Sequence, residues 1–221
     1  MSPRVAVSVL SLAAVPVGGA AVRAETAVPV LRLVWVDPSA IASGSELVAR
    51  AEATTLLTRM GATVSWRRAT AGEVMRTDEV WIILVGAGPP RSSGSVVLGS
   101  TRRNDSVAPV VWIRLPNVRA AVGIPTGGSL VGLPLAEVRP FAVALGRVIA
   151  HEVVHALVPS IPHGTGLMSG SLTRRQLTAA SIPVEPEVAL LFQAALQGDP
   201  GWTPSGTGVL AAEARLRRKD R

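Results

Sequence analysis

The spacing of hydrophobic and polar positions changes several times along the chain, and each change marks an element. Leu31-Arg32-Leu33-Val34-Trp35-Val36 alternates with the period of a half-buried strand, and Pro38 ends it. Leu47, Val48, Ala51, Leu56 and Leu57 recur at helical spacing. They predict a helix from a Ser43 or Ser45 cap to about Met60, stopped by Gly61. Residues 62–67 read as a second strand with Val64 and Trp66 on one face. A strand, a helix and a returning strand predict a right-handed crossover unit. Residues 80–85 form an apolar third strand, and the Gly-, Pro- and Ser-rich run 86–95 a loop. Residues 96–98 read as a short strand, 102–105 as a turn and 110–115 as a further strand. No regular element is predicted over 115–134, where Gly and Pro are frequent.

A long helix is expected with Pro140 in its first turn, running to about Val158, where Pro159 disfavours continuation. Residues 173–180 and 186–196 read as two shorter helices. The pattern predicts an α+β or α/β domain: a twisted mixed sheet of about four or five strands backed by helices. The long helix would run beneath a cleft, and a small helical C-terminal lobe would follow it.

The two ends do not share this pattern. Arg4, an apolar run over 5–22 and then Val22-Arg23-Ala24 read as a signal peptide cleaved after Ala24. The chain then divides into a signal peptide (1–24), one domain (25–200) and a basic tail (201–221), and the protein is expected to be secreted, periplasmic or held at the cell envelope. Pro16, Gly18 and Gly19 disfavour a stable spanning helix in the leader; its retention would give a membrane-anchored protein instead. The other long apolar run, 141–158, contains Arg147, His151, Glu152 and His155, which are costly in lipid. No integral membrane span is therefore expected after signal removal. The tail carries Arg215, Arg217, Arg218, Lys219 and Arg221. It reads as a solvated segment, with a cationic helical face for anionic lipid or cell-wall polymer as the alternative.

Composition narrows the chemistry. Hydrophobic residues make up 48% and charged residues 17%, which suits a packed core. Cysteine is absent, so disulfides and thiolate chemistry are excluded and a metal can be held only by histidines and carboxylates. The net charge of +7 raises the question of nucleic acid. Outside the tail the arginines are scattered, there are only five tryptophans and two phenylalanines for stacking, and no nucleic-acid motif is present. Nucleic-acid binding is not expected.

The candidate chemistry lies in His151-Glu152-Val153-Val154-His155. Side chains four apart on a helix share a face, so both imidazoles can reach one ion. Glu152, one step around, can sit beside the metal without ligating it, positioned to accept a proton from bound water. A zinc site with one open position needs a third protein ligand, and His163 follows a Pro159/Pro162 break that lets the chain turn back. Glu185 or Glu187 is the rival third ligand, as in glutamate-type zinc sites. The plain alternative places two histidines and a glutamate on the polar side of a surface helix. The apolar surroundings (Val148, Ile149, Ala150, Val153, Val154, Ala156, Leu157) argue against it, because buried charge is costly. So does the confinement of all three histidines to positions 151 to 163.

With Gly166-Leu167-Met168 following His163, the run resembles the site of metzincin zinc peptidases. More closely, residues 145–152 with His163 and Gly166-Leu167-Met168 resemble a group of uncharacterised bacterial exported proteins with a metzincin-like site. Val64-Ser65-Trp66 is similar to the pattern ending a strand in their N-terminal halves. The resemblance implies a zincin-type fold, zinc as cofactor, and a peptide or protein substrate hydrolysed with Glu152 as general base. It also implies a Met-turn in which Met168 forms a hydrophobic floor under the metal, and a sheet-edge strand near Val96 that lines the cleft and pairs with an extended peptide. The chain departs from the metzincin pattern in two ways. Val158 and Ile161 stand where a glycine and the third histidine are usual, so His163 comes two residues late. There is no tyrosine to stabilise a transition state. A non-catalytic zinc-binding or cell-surface interaction protein is the alternative from another class. Such a site needs no general base and usually closes its fourth position.

Overall fold

The structure, a computed structural model, describes residues 30–38, 40, 42–86, 97–104, 107–126 and 134–198. The expected signal peptide and basic tail lie outside the described residues, as does Val96. Five strands form one mixed sheet: β1 (Val30–Val36), β2 (Thr63–Arg68), β3 (Glu79–Val85), β4 (Gly99–Asn104) and β5 (Val107–Arg114). Their order is β2-β1-β3-β5-β4. The first four in that order are parallel, and β4 runs antiparallel to β5 as an edge strand. The helices are α1 (Glu46–Arg59), α2 (Leu115–Ala121), α3 (Leu135–Leu157), α4 (Arg174–Thr178) and α5 (Pro186–Leu196), with a 3-10 turn at Gly166–Met168. This is a mixed α+β architecture.

Strand alternation sorts the two sheet faces. Leu31, Leu33 and Trp35 of β1 lie beside Val80, Ile82, Val111 and Ile113 of the neighbouring strands. All are buried with Ala49, Ala53, Leu56 and Leu57 of α1 and Leu145, Val148, Ile149 and Val153 of α3. The opposite face carries a smaller cluster of Val34, Trp81, Ala108 and Val110. Gly99 pairs with Ile113 and Thr101 with Val111, so these two β4 positions share the helix-covered face. Helices α1 and α3 cross closely at Gly146. A Cβ there would meet the Ala49 carbonyl oxygen at 2.5 Å and the Glu52 Cβ at 2.7 Å. The crossing sets α3 against β4 and β5, at the edge of the sheet where the candidate site forms.

Several boundaries differ from the sequence expectation. The strand expected at 96–98 begins at Gly99 and includes Arg102 and Asn104, which had read as a turn. Pairing with β5 extends it, since the Arg114 N–H donates to the Leu98 carbonyl just before it. The segment from Leu115 opens with α2, where Pro116 in the first turn starts a helix rather than breaking one. Helix α3 begins five residues before Pro140, which therefore lies inside it. The carbonyl this leaves without a helical donor belongs to Ala136, an exposed residue near the helix start. Ser45 stands at the N-cap of α1, but its hydroxyl donates back to the Ala42 carbonyl instead of capping the helix. Thr173 does cap α4, through a reciprocal box with Gln176.

The C-terminal segment is not a separate lobe: Leu167, Met168, Leu177, Ile182, Val188 and Phe192 join the main core. Among the described residues, one helical stretch, Val138–Leu157, is long and apolar enough to cross a membrane, and 78% of its window is buried inside the molecule.

Candidate metal centre

His151 and His155 lie one turn apart on α3, with ring centroids 4.7 Å from each other. The chain leaves α3 at Val158 in an extended conformation (φ −125°, ψ 73°). A β-branched residue resists the left-handed turn a glycine would allow there. Beyond this exit Ile161 is buried in the core, and the chain turns back so that His163 reaches the helix. His163 stacks on His151 at 5.6 Å and 11°, and its Nε2 lies 3.1 Å from the Nε2 of His155. One ring nitrogen from each of the three histidines lies within 4.8 Å of the others.

The donor set fits a zinc ion. Tetrahedral zinc with bonds of about 2.0–2.1 Å places its nitrogens roughly 3.3 Å apart, close to the 3.1 Å between His155 and His163 and inside the 4.8 Å that bounds the cluster. A separation of 3.1 Å also suits a hydrogen bond between two neutral imidazoles. That pairing accounts for His155 and His163 but not for the third ring beside them. The His151 ring is fixed by a backbone partner: its Nδ1 lies 2.8 Å from the Leu167 carbonyl oxygen. A carbonyl only accepts, so Nδ1 carries the proton and Nε2 presents its lone pair. Burial holds the His151 imidazole below its ordinary pKa, and burial with repulsion from the other two histidines pushes His155 down to about 4. Both rings are neutral near pH 7, the form that binds metal. From His151 (buried) through His155 (half-buried) to His163 (exposed), the cluster opens toward solvent.

Glu152 is buried beside this cluster and makes no hydrogen bond or ion pair among the described residues. Burial alone pushes its carboxyl up to about 7. Gly99 at the start of β4 gives it room: a Cβ there would lie 2.6 Å from the Glu152 Cγ and 2.8 Å from its Oε1. The Asn117 side chain holds the approach to this strand by donating to the Val97 carbonyl.

The loop carrying His163 is fastened from the far side. The Gly164 N–H donates to the Met168 carbonyl, and the Leu167 N–H to the Pro183 carbonyl. Gly166 has φ +54°, and a Cβ there would lie 2.4 Å from the Pro183 oxygen, so the turn requires glycine. Glu185, one of the two rival ligands, points instead at this loop. Its Oε1 accepts from the Thr165 N–H at 2.8 Å and from the Thr165 hydroxyl. Glu187 lies in the first turn of α5 and is outside the histidine cluster. Met168 is buried in the main core. The turn's direct contact with the histidines is made by the Leu167 carbonyl, on the residue before it.

Several residues act around this site in ways that the sequence alone did not assign. Leu167 acts through its backbone and Gly99 through its missing side chain, so residue type carried no signal for either. Glu185, the rival ligand of the sequence reading, has its carboxylate bonded to Thr165. Arg147, one turn before His151, is buried and bonds to Glu52 at 2.7 Å and to the carbonyls of Gln176 and Ala179. A lone arginine in an apolar helical run was its only signature. Comparison of the chain with family models, curated proteins and solved structures returns no match.

Proposed function

We propose that this chain is an exported zinc-dependent metallopeptidase, with His151, His155 and His163 as ligands and Glu152 as general base. The observation carrying this reading is the convergence of three imidazoles beside a buried glutamate that has no hydrogen-bond or ion-pair partner among the described residues. Bound zinc supplies Lewis acidity, polarising the substrate carbonyl and making water a better nucleophile. Glu152 takes the proton of the attacking water and delivers it to the leaving amine. Among the described residues β4 is the edge strand, so its outer side offers backbone groups to an extended peptide, and Gly99 brings that strand against Glu152. A metzincin-like arrangement, with Met168 in its turn, belongs to this proposal. The exposure of His163 favours a site open to substrate over a closed structural one.

Metal analysis tests the reading. The purified mature chain is expected to take up one zinc ion, and His163→Ala to lose most of that affinity while Glu187→Ala retains it. No uptake of any transition metal by the wild type sinks the proposal. Export is tested separately by N-terminal sequencing of secreted protein. The expected start is near Glu25, and protein confined to the cytoplasm with Met1 intact contradicts it.

A further inference from the structure

The structure assigns Glu185 a role as the positioning residue of the third metal ligand, an inference that rests on the zinc reading of the same site. His163 has no regular element of its own to hold its backbone. It is exposed, it lies outside helix and strand, and it follows a stretch with prolines at 159 and 162. Such a side chain loses considerable conformational freedom when it binds, and that loss weakens the site unless the loop is already ordered. Residues 183–185 order it. The Pro183 carbonyl takes the Leu167 N–H at 2.8 Å. Two residues on, the Glu185 carboxylate takes both the N–H and the hydroxyl of Thr165.

Gly164 lies between these contacts and His163. A Cβ at Gly164 would sit 2.8 Å from the Glu185 Oε2, so the backbone next to His163 is pressed directly on the carboxylate. Charge-assisted bonds from a carboxylate to a backbone N–H are among the stronger hydrogen bonds in proteins. The same clamp secures the Leu167 carbonyl, which orients His151. One short segment thereby positions two of the three ligands. Glu185 acts through Thr165 and touches no metal.

The test measures zinc affinity of the full mature chain by competition with a chelator. The variants are Glu185→Ala, Thr165→Val, their combination and His163→Ala. Loss of an outer partner of a metal ligand typically weakens affinity by about 10- to 100-fold, and that is the loss expected for Glu185→Ala. Thr165→Val is expected to lose less, because the backbone N–H remains. Adding it to Glu185→Ala should cost nothing further, since both changes break one contact. Amide hydrogen exchange of the metal-free chain gives a second readout: protection at Thr165 and Leu167 is expected to fall in Glu185→Ala with the overall fold intact.

Unchanged zinc affinity in Glu185→Ala, alongside its loss in His163→Ala, overturns the positioning role and leaves the zinc reading standing. A Glu185→Ala defect as large as that of His163→Ala, with Thr165→Val unaffected and exchange unchanged, makes Glu185 a ligand and also overturns it. A wild type that binds no zinc overturns both readings.

Discussion

Glu152→Gln is expected to lower hydrolysis of a peptide library by about 10²- to 10⁴-fold, the usual contribution of a positioned general base. Zinc content should not change. The substitution keeps the side chain's size and its hydrogen-bonding capacity but removes its ability to take a proton. Glu152 follows His151 directly, so it projects about 100° around the helix from the ligand face, which suits contact with a reacting water and disfavours ligation. Among the described residues it is buried with no hydrogen bond or ion pair, so the variant breaks no polar contact there. The same group can be disturbed from the opposite side: Gly99→Ala pushes a methyl group onto the Glu152 side chain and should reduce turnover with zinc retained. Steady-state kinetics with metal analysis of each variant check this. Equal activity in Glu152→Gln would mean that another group is the base. A zinc-loaded wild type inactive on broad peptide libraries would favour the non-catalytic alternative.

The second large effect is on stability. Arg147→Met is expected to cost about 3 kcal/mol, the lower end for removing one partner of a buried ion pair. In a domain of this size that lowers Tm by roughly 10 °C. Arg147 is 1% exposed and ties three elements together: its Nε donates to Glu52 on α1, and its two terminal nitrogens donate to carbonyls at and just beyond α4. Methionine fills much of the volume but leaves those two carbonyls and the Glu52 carboxylate without their donor. Helix α4 follows the loop that carries His163 and Leu167, so the variant should bind zinc more weakly as well as melt earlier. Adding Glu52→Gln should recover part of the lost stability by removing the unpaired charge. Thermal unfolding followed by circular dichroism measures both variants. A Tm within about 2 °C of the wild type, equivalent to at most ~1 kcal/mol, would show that Arg147 is not a strut.

Much of the sheet was legible because its signal is local. Alternation in residues 31–36 and the apolar run at 80–85 reflect burial on the faces those strands present, and the bounds of α5 are legible because Pro186 opens it and apolar positions fill it. The pairing of His151 with His155 was equally legible, since helix geometry alone places residues four apart on one face. Local signals misled where a partner decided the outcome. Strand β4 contains Gly99, Ser100, Arg102 and Asn104, poor strand formers that hold their conformation because β5 pairs with them. Pro140 reads as a helix start, but the helix holds it inside, where the carbonyl left without a donor belongs to the exposed Ala136.

The third ligand shows the division most clearly. The sequence by itself determined that three histidines and one glutamate were available between positions 151 and 163, and that no thiolate could compete. It left His163, Glu185 and Glu187 as rivals, because which of them reaches the helix depends on the path of a loop. Only the tertiary structure decided that path. Val158 sends the chain out extended, the Pro183 carbonyl and Glu185 carboxylate catch it, and the Leu167 carbonyl settles the His151 tautomer. These contacts join residues between 16 and 20 positions apart through backbone groups that every residue type possesses. Their selection depends on distance and direction in the folded chain, which side-chain pattern does not encode.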